Sequence, residues 1–495
     1  MRLEFLHEPD LEFGNGGTHV DVRFGLMQYG PLDVGTSAAP SQLRVGIVGT
    51  QATIEQVERW LDRGRSSIAG KESRLTNLFP AFPGFSAESP FRASVVLHDR
   101  WRAEIHRREI DGLLSTPHAD ELVGNAVDLF LQAAQDVLEQ SGPMVLICAP
   151  PSELLDAVDA HISLRPDPLE EELDESGDTP ADRKRVSRAP FHDLLKARGM
   201  RLNIPIQMVR PGTYTGQQAK KPAKTKRREA ERRLQDEATR AWNFHTALYY
   251  KAGGIPWRII RVASELTACF IGISFYRSLD GDRLLTSIAQ VFNERGEGLI
   301  VKGGPAKLDK DDRTPHLSAD DAASLIAGAI RAYRREHKTS PARLVIHKTS
   351  RINAEELAGF RAAADEERVE IVEAISVRRS LTRLFREGVY PPLRGTFLDL
   401  GATTGLLYLR GSVNFFETYP GMYVPRPLEF EIALSDSTTR RIAEEMLSLS
   451  KLNWNNTQFD GGEPITVRAA RRVGDILKCL SEDEQLPQAG FRFFM

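Results

Sequence analysis

The sequence predicts an α/β protein built from two successive halves, each a sheet covered by helices. In the first half, apolar β-branched runs such as LRVGIVGT alternate with amphipathic segments such as QATIEQVERWLDRG, which is typical of a parallel sheet with covering helices. In the second half, three apolar strands follow one another before a helix, strand, helix pattern begins, which indicates a mixed sheet with antiparallel first strands. The 495 residues have room for roughly two to four domains.

The chain begins with a glycine-rich segment, residues 1–35, that lacks helical periodicity. We predict an extended lead-in that wraps over a neighbouring domain. Acids in MRLEFLHEPDLEFG interrupt the apolar stretch that a secretion signal needs, and no run reaches the ~20 apolar residues of a membrane span. The 3 cysteines lie far apart in apolar runs, so we expect buried thiols in a reducing cytosol. These observations predict a cytoplasmic protein.

The first half continues with the helical pattern ELVGNAVDLFLQAAQDVLEQ and the strands PMVLICAP and NIPIQMVR. The helix that contains WNFHTALYYK is expected to end at Lys251, because Gly253 and Gly254 follow and glycine stops a helix. We interpret this point as the join between the halves. The chain ends in the apolar run FRFFM, so we expect this end to fold inward and to place the carboxylate of Met495 inside the structure.

Charge is distributed unevenly along the chain, although the formal net charge is only −3. Residues 165–182 carry eight acids against one base, which is typical of a solvated, mobile loop. Residues 220–233 carry eight bases against two acids, which predicts either an exposed helix start or a contact with polyphosphate. Without the acidic segment the formal charge is about +4, so the average does not exclude a nucleic-acid partner.

Several generic catalytic signatures are missing from the sequence. It contains no GxxxxGK[ST], HExxH or GxSxG motif. These are the signatures of P-loop nucleotide hydrolases, zincins and α/β-hydrolases, in that order, so none of the three classes is indicated. Asp399 in FLDLGATTG vaguely resembles a sugar-kinase phosphate motif, but strand-to-turn chemistry explains it. The run KLDKDD, which contains Asp309, is interpreted as a solvated turn that could also face a nucleic-acid channel.

A set of motifs in chain order resembles the PIWI domain of Argonaute proteins. The runs ALYYKAGGIPWRI (247–259) and CFIGISFYRS (269–278) resemble the opening of this domain. The run ARLVIHKTS (342–350) resembles the strand that ends in Arg-Asp-Gly in active relatives. The runs LNWNN (452–456) and Pro464-Ile-Thr-Val resemble its C-terminal segment.

The resemblance implies a domain organisation. Residues 36–240 would form a Rossmann-like MID domain that binds the 5′ end of a guide strand. Residues 241–495 would form a ribonuclease-H-like PIWI domain. A PAZ-like region does not fit into this length, so the match is to short prokaryotic Argonautes.

The resemblance also implies a pocket for the guide 5′ phosphate. His192 and Lys196 have the His-x3-Lys spacing of short members, Gln207 lies in the next strand, and Lys251 precedes the Gly-Gly pair. Residues four apart share a helix face, so His192 and Lys196 can reach one anion, and Lys251 adds a charge-assisted contact. Alternatively, His192 is a satisfied histidine and Lys251 complements a helix dipole. The family further implies that Gln207 and the Met495 carboxylate hold a divalent ion, for which Mg²⁺ is suited.

The catalytic positions implied by the resemblance lack carboxylates. Ser274 stands where the first Asp follows Ile-Gly-Ile, Thr349 where Arg-Asp-Gly would stand, and Ala470 where His or Asp should follow the Pro-Ile-Thr-Val strand. No histidine follows His347. Because two metal ions need carboxylate ligands around a scissile phosphate, we predict that the protein is not an enzyme.

The resemblance implies a guide-binding, non-slicing Argonaute whose RNA guide recognises single-stranded DNA by base pairing. Such proteins pair with an APAZ-containing effector, a TIR or sirtuin-like NADase or a nuclease, in a heterodimer that defends prokaryotes against phage or plasmids. Two alternatives stay open. One is an active guide-directed nuclease that uses Asp399 or Asp309, and the other is an α/β scaffold without nucleic acid.

Overall fold

The computed structural model describes residues 1–116, 119–140, 142–160, 189–216, 234–260, 266–279, 281, 283–292, 298–309, 314–385, 387, 391–421, 424–458, 461–480 and 490–495. The acidic segment within 161–188 and the basic segment within 217–233 therefore lie outside the described residues.

Within these residues the strands form two larger sheets and two small ones. In chain order they are β1 (Arg2–Phe5), β2 (Leu11–Glu12), β3 (Thr18–His19), β4 (Gln42–Gly49), β5 (Ser94–Val96), β6 (Arg102–Glu104), β7 (Val145–Ala149), β8 (Ile206–Met208), β9 (Arg258–Ile259), β10 (Ala268–Arg277), β11 (Leu284–Phe292), β12 (Gly298–Pro305), β13 (Lys307–Leu308), β14 (Pro315–His316), β15 (Arg343–Lys348), β16 (Ile371–Arg379), β17 (Thr396–Asp399), β18 (Thr404–Leu407) and β19 (Leu428–Leu434).

The helices cover both larger sheets. In chain order they are α1 (Val22–Tyr29), α2 (Gln51–Arg63), α3 (Arg107–Leu114), α4 (Ala119–Glu139), α5 (Ser152–Ala160), α6 (Phe191–Gly199), α7 (Pro211–Thr215), α8 (Glu237–Lys251), α9 (Ala319–His337), α10 (Ala354–Glu366), α11 (Thr439–Leu449) and α12 (Ile465–Leu477).

The first larger sheet is parallel, as the alternating pattern predicted. Its strand order is β5-β4-β7-β8, with β6 also paired to β4, and every pairing is parallel. All five residues of β7 are buried, which is expected where helices cover both faces of a parallel sheet. Phe130 of α4 packs edge-on against Phe191 of α6, with ring centroids 5.8 Å apart. This packing fixes α6 against the sheet.

The second larger sheet is mixed, and the prediction of antiparallel first strands is confirmed. Its order is β1-β17-β18-β19-β16-β15-β10-β11-β12. The strands β10, β11 and β12 pair antiparallel, whereas β10, β15 and β16 pair parallel. Helix α12 packs on β10 and β11, and α9 and α10 pack on each other. The parallel centre of the sheet therefore lies between two helical layers.

The N-terminal segment contacts both halves, but it is not wholly extended as predicted. Strand β1 pairs antiparallel with β17 at the edge of the mixed sheet. Residues 22–29 instead form α1, because the Asp21 carboxylate accepts hydrogen bonds from the backbone N–H groups of Arg23 and Phe24. Asp33 is buried and accepts hydrogen bonds from the Tyr249 hydroxyl, at 2.7 Å, and from the Ile255 backbone N–H, at 3.0 Å. The segment is thereby tied to the junction between the halves.

Two of the motifs that carried the resemblance pack together. The indole N–H of Trp454, in LNWNN, donates to the Trp257 carbonyl at 3.0 Å, and that of Trp257 donates to the Lys451 carbonyl at 3.1 Å. Tyr250 stacks on Trp454 with ring centroids 5.0 Å apart. These aromatic side chains form a buried joint beside the end of α8.

The cysteine prediction holds at two of three positions. Cys148 and Cys269 are buried free thiols, whereas Cys479 is free but only partly buried. Among the described residues, no helix is both long enough and apolar enough to cross a membrane.

Candidate functional site

The Lys196 side chain joins α6, β8 and the C-terminus. It is only 2% exposed, and its ammonium donates hydrogen bonds to the Ile206 carbonyl and to a carboxylate oxygen of Met495. The expected inward position of the C-terminal carboxylate is therefore confirmed. Burial lowers the pKa of Lys196, and the charges of Lys251 and Arg472 lower it further. The contact with the carboxylate opposes this effect because it favours the charged ammonium.

Lys251 is the last residue of α8, where the glycine pattern placed the helix end. It is 1% exposed, and its ammonium has no hydrogen-bond partner within the described part of the chain. Burial lowers its pKa from 10.5 to about 7. An isolated buried cation is costly, and an anion placed beside it would remove most of that cost.

Gln207 supplies a second polar atom without a partner. Its amide N–H donates to the Met208 carbonyl at 3.2 Å, while Oε1 is buried and unpartnered in the described residues. Lys196 bonds both the carbonyl of the preceding residue, Ile206, and the Met495 carboxylate, which brings this part of β8 close to the C-terminus. An amide oxygen and a carboxylate are ligands that Mg²⁺ accepts together with water and phosphate oxygens, so the donor set fits this ion. No group of three His, Cys, Asp or Glu side chains able to hold a metal ion occurs among the described residues.

His192 contacts side chains from both halves. Its Nδ1 lies 3.0 Å from a carboxylate oxygen of Asp193 and 2.7 Å from a guanidinium nitrogen of Arg472, on α12. Burial lowers the pKa of His192 to about 4, so the ring is neutral at pH 7. The carboxylate of Asp193 only accepts and the guanidinium of Arg472 only donates, so Nδ1 can hydrogen-bond to only one of them and the two contacts require opposite tautomers. In either tautomer a neutral imidazole carries one N–H, with which it can donate one hydrogen bond.

Two arginines at this junction were missed by the sequence reasoning. Arg472 also forms a 2.7 Å ion pair with Asp193, which joins α12 to α6. Gly253 adopts a positive φ of 96°, and a Cβ at this position would lie 3.4 Å from a guanidinium nitrogen of Arg492. Arg492 belongs to the apolar C-terminal run FRFFM. The expected inward fold of that run was the sequence signal that could have placed Arg492 at this junction. Both side chains add positive charge around the two buried lysines.

The three positions that the resemblance assigns to catalytic residues lie on β10, directly after β15 and on α12, which packs on the mixed sheet. Ser274, on β10, is buried, and the backbone N–H of Thr349 donates to the Ile273 carbonyl at 3.0 Å. The Ser287 hydroxyl lies 3.3 Å from the Ser274 carbonyl and 2.8 Å from the Ala470 carbonyl. The fold thus places two hydroxyl side chains and one methyl side chain where the resemblance puts metal ligands.

The segment before Ala470 differs from the expected strand. Residues 465–477 form α12, with Pro464 at the N-cap. Proline is favoured at a helix start, and the buried Val467, Ala470 and Val473 recur every three residues, which is a helical period. Pro464-Ile-Thr-Val is therefore the first turn of a helix.

The alternative catalytic acids lie elsewhere. Asp399 ends β17, and its carboxylate accepts a hydrogen bond from the Gly401 backbone N–H at 3.1 Å, which is a turn contact. Four strand spacings separate β17 from β15 in the sheet order, about 19 Å. Asp309 is exposed after β13, and residues 310–313 lie outside the described residues. Asp399 therefore does not lie beside Thr349, which follows β15.

Solved structures with similar architecture are Argonaute and Piwi proteins. Clostridium butyricum Argonaute bound to a guide DNA and a 19-mer target DNA has a TM-score of 0.61 at 16% identity, over 97% of this chain and 53% of its own. Drosophila Piwi has a TM-score of 0.57 at 15% identity, over 99% and 56%. Aa-Ago with externally bound siRNA has a TM-score of 0.58 at 12% identity, over 100% and 56%. No protein-family model and no curated protein sequence matches the chain.

The chain therefore has the fold of Argonaute and Piwi proteins, and the predicted fold class is confirmed. A Rossmann-like parallel sheet precedes a ribonuclease-H-like mixed sheet, as in a MID–PIWI pair. The chain spans about half the length of these solved structures.

Proposed function

We propose that this protein is a guide-binding, non-slicing short Argonaute. It binds a 5′-phosphorylated guide, an RNA, and recognises complementary single-stranded DNA through base pairing. The observation that carries the proposal is the buried ammonium of Lys251, which has no partner among the described residues and whose charge acts on Lys196, the lysine that bonds the C-terminal carboxylate. A dianionic phosphate is the ligand that such a pocket fits.

The pocket residues divide the binding between them. Lys251 and Lys196 supply positive charge, and the neutral ring of His192 supplies one N–H. Gln207 Oε1 and the Met495 carboxylate would hold Mg²⁺, which would neutralise the carboxylate and link it to guide phosphates. Since both lysines are buried, water competes weakly with the phosphate for them.

The proposal of no slicing follows from the side chains at the three catalytic positions. Ser274, Thr349 and Ala470 cannot supply the carboxylates that clamp two metal ions. Incubation of the purified protein with guide, labelled target and Mg²⁺ or Mn²⁺ tests this point. Cleavage at one defined position would overturn it in favour of a guide-directed nuclease.

The enzymatic activity would then come from a partner protein. We propose an APAZ-containing effector, a TIR or sirtuin-like NADase or a nuclease, that is switched on when the guide pairs with target DNA in defence against phage or plasmids. The thermodynamic requirement is that the duplex binds the active assembly more tightly than the resting one. Co-expression with the protein encoded by the neighbouring open reading frame, followed by NAD⁺ and nucleic-acid degradation assays, tests this part.

The guide pocket is tested by nucleic acid that copurifies with the protein. The wild type should yield short 5′-phosphorylated RNAs. Reversal of charge at Lys196 and Lys251 should abolish their recovery, and Lys251→Met should reduce it while retaining the fold. Unchanged recovery from the variants would reject the pocket assignment, whereas absence of RNA from the wild type would favour the scaffold alternative.

A further inference from the structure

A second cavity lies at the opposite end of α8 from Lys251. It has a volume of about 550 Å³ and is lined by α2, α7 and the first turns of α8. The lining residue Arg240 precedes Lys251 by 11 positions on the helix, which corresponds to about 16 Å along its axis. The cavity is therefore separate from the proposed guide pocket.

Within the described part of the chain, three buried hydrogen-bonding groups of the lining have no partner. They are the indole Nε1 of Trp60, the hydroxyl of Tyr214 and Nε of Arg240. Trp60 is only 4% exposed. Each of these groups can donate a hydrogen bond, and a buried donor without an acceptor costs about 1–3 kcal/mol. Three of them around one cavity indicate a ligand rich in acceptors.

The charge of the lining is positive. Arg59, Arg63 and Arg240 face a single acid, Glu237, which pairs with Arg63 at 3.2 Å. Arg59 and Arg63 are four residues apart on α2, so their guanidinium groups lie on one helix face. They remain 69% and 43% exposed, and thus accessible. Guanidinium groups match phosphate oxygens in charge and in geometry.

Arg240 is held in place by the neighbouring turn. Its guanidinium donates to the carbonyls of Gly212, at 2.9 Å, and Thr213, at 2.6 Å, and lies 5.3 Å from the centre of the Trp60 ring. Gly216 has a φ of 70°, and a Cβ there would lie 3.3 Å from another guanidinium nitrogen of Arg240. The arginine is thus fixed before any ligand binds, which lowers the entropic cost of binding.

We propose that this cavity is a second anion site that binds a phosphate-bearing ligand of nucleotide size. The phosphate lies between Arg59, Arg63 and Arg240, and the hydroxyl of Tyr214 and the indole N–H of Trp60 donate to acceptors on the rest of the ligand. A volume of about 550 Å³ lies within the usual range for ligand pockets, about 300–1,000 Å³, and exceeds the needs of a free phosphate ion.

The test uses the full chain with Lys251→Met, so that the guide pocket has lost its buried charge. AMP, inorganic phosphate and a 5′-hydroxyl tetranucleotide are titrated by calorimetry. We expect AMP or the tetranucleotide to bind at one site, and inorganic phosphate to bind at least about tenfold more weakly. Tighter binding of AMP identifies a free nucleotide as the ligand, and tighter binding of the tetranucleotide identifies a strand segment.

Two variants assign the site. Arg59→Glu with Arg63→Glu should weaken binding by about tenfold or more, whereas the control Arg107→Glu with Arg108→Glu on α3 should not change it. Tyr214→Phe should weaken binding a few-fold and raise the urea midpoint, because it removes a buried hydroxyl that has no partner among the described residues. Three results would overturn the proposal. They are no binding of AMP or the tetranucleotide at millimolar concentration, an affinity for inorganic phosphate equal to that for these ligands, and unchanged binding by the Arg59→Glu, Arg63→Glu variant. None of these outcomes depends on the guide pocket.

Discussion

Replacement of Lys251 by methionine should make the protein more stable and bind its guide less tightly. The lysine side chain is buried, its ammonium has no partner in the described residues, and its pKa falls from 10.5 to about 7. A shift of this size corresponds to about 5 kcal/mol of unfavourable free energy for the charged form. Methionine has a similar length without the charge, so Lys251→Met removes this cost.

The gain in stability should depend on pH in a defined direction. Between pH 7 and 10.5 the unfolded chain holds a proton on Lys251 that the folded chain has released, so the stability of the wild type rises with pH. The cost is fully present below about pH 7 and disappears above about pH 10.5. We expect Lys251→Met to exceed the wild type in free energy of unfolding by about 4 kcal/mol at pH 7 and by only about 1 kcal/mol at pH 9.5.

Urea unfolding at the two pH values measures this difference, with the exposed Lys307→Met as the matched control. Fluorescence anisotropy with a 5′-phosphorylated guide should show a loss of affinity of about tenfold or more for Lys251→Met, and no loss for the control. A variant that is less stable than the wild type at both pH values would refute the reasoning, because the ammonium would then be satisfied. Higher stability with unchanged affinity would separate Lys251 from phosphate binding.

Three further predictions concern Lys251, a buried ion pair and the contact between α12 and α6. Affinity for a 5′-phosphorylated guide should fall by about tenfold per pH unit above pH 7, because phosphate prefers the protonated Lys251. This pH dependence should vanish in Lys251→Met, and calorimetry in two buffers should detect proton uptake by the wild type, whereas pH-independent binding would contradict the prediction. Lys348 and Glu356 form a fully buried ion pair at 2.9 Å, so Glu356→Gln should lower the free energy of unfolding, measured with urea, by about 3 kcal/mol. The control Glu355→Gln, at an exposed position, should change it little. Equal effects of the two substitutions would show that the ion pair does not stabilise the fold. Asp193→Asn should break the ion pair with Arg472 between α12 and α6, and it should lower the affinity for a 5′-phosphorylated guide. The control Asp128→Asn, at an exposed position, should lower this affinity less. Equal affinities of the two variants would show that Arg472 does not support the pocket.

Much of the fold could be predicted from the sequence, because the signals were local. The buried run of β7 indicated a parallel sheet, and the glycines after Lys251 marked the end of α8. Helix α1 was missed because its apolar face is short and its start depends on one cap, Asp21. Residues 464–467 were assigned to a strand through the resemblance, and their β-branched side chains did not contradict it, because such residues at a helix start give the same local signal as a strand.

The candidate site was predicted in part. The spacing of His192 and Lys196 indicated one helix face, but their contacts differ in the structure: Lys196 bonds the C-terminal carboxylate, whereas His192 contacts Asp193 and Arg472. Arg472 is far from both in sequence, and only the packing of α12 on α6 brings it close. Within the described residues, the Lys251 ammonium and Gln207 Oε1 have no hydrogen-bond partner, and this is a tertiary property that the residue pattern alone could not reveal.

The affinity of the wild-type protein for two guides that differ only in the 5′ group tests the account most directly. A guide RNA with a 5′ phosphate places a dianion between Lys196 and Lys251, whereas the same RNA with a 5′ hydroxyl leaves Lys251 unpaired. We expect the phosphorylated guide to bind about 100-fold more tightly at pH 7, the size of two charge-assisted hydrogen bonds. Equal affinity for the two guides would contradict the central claim that this pocket holds a guide 5′ end.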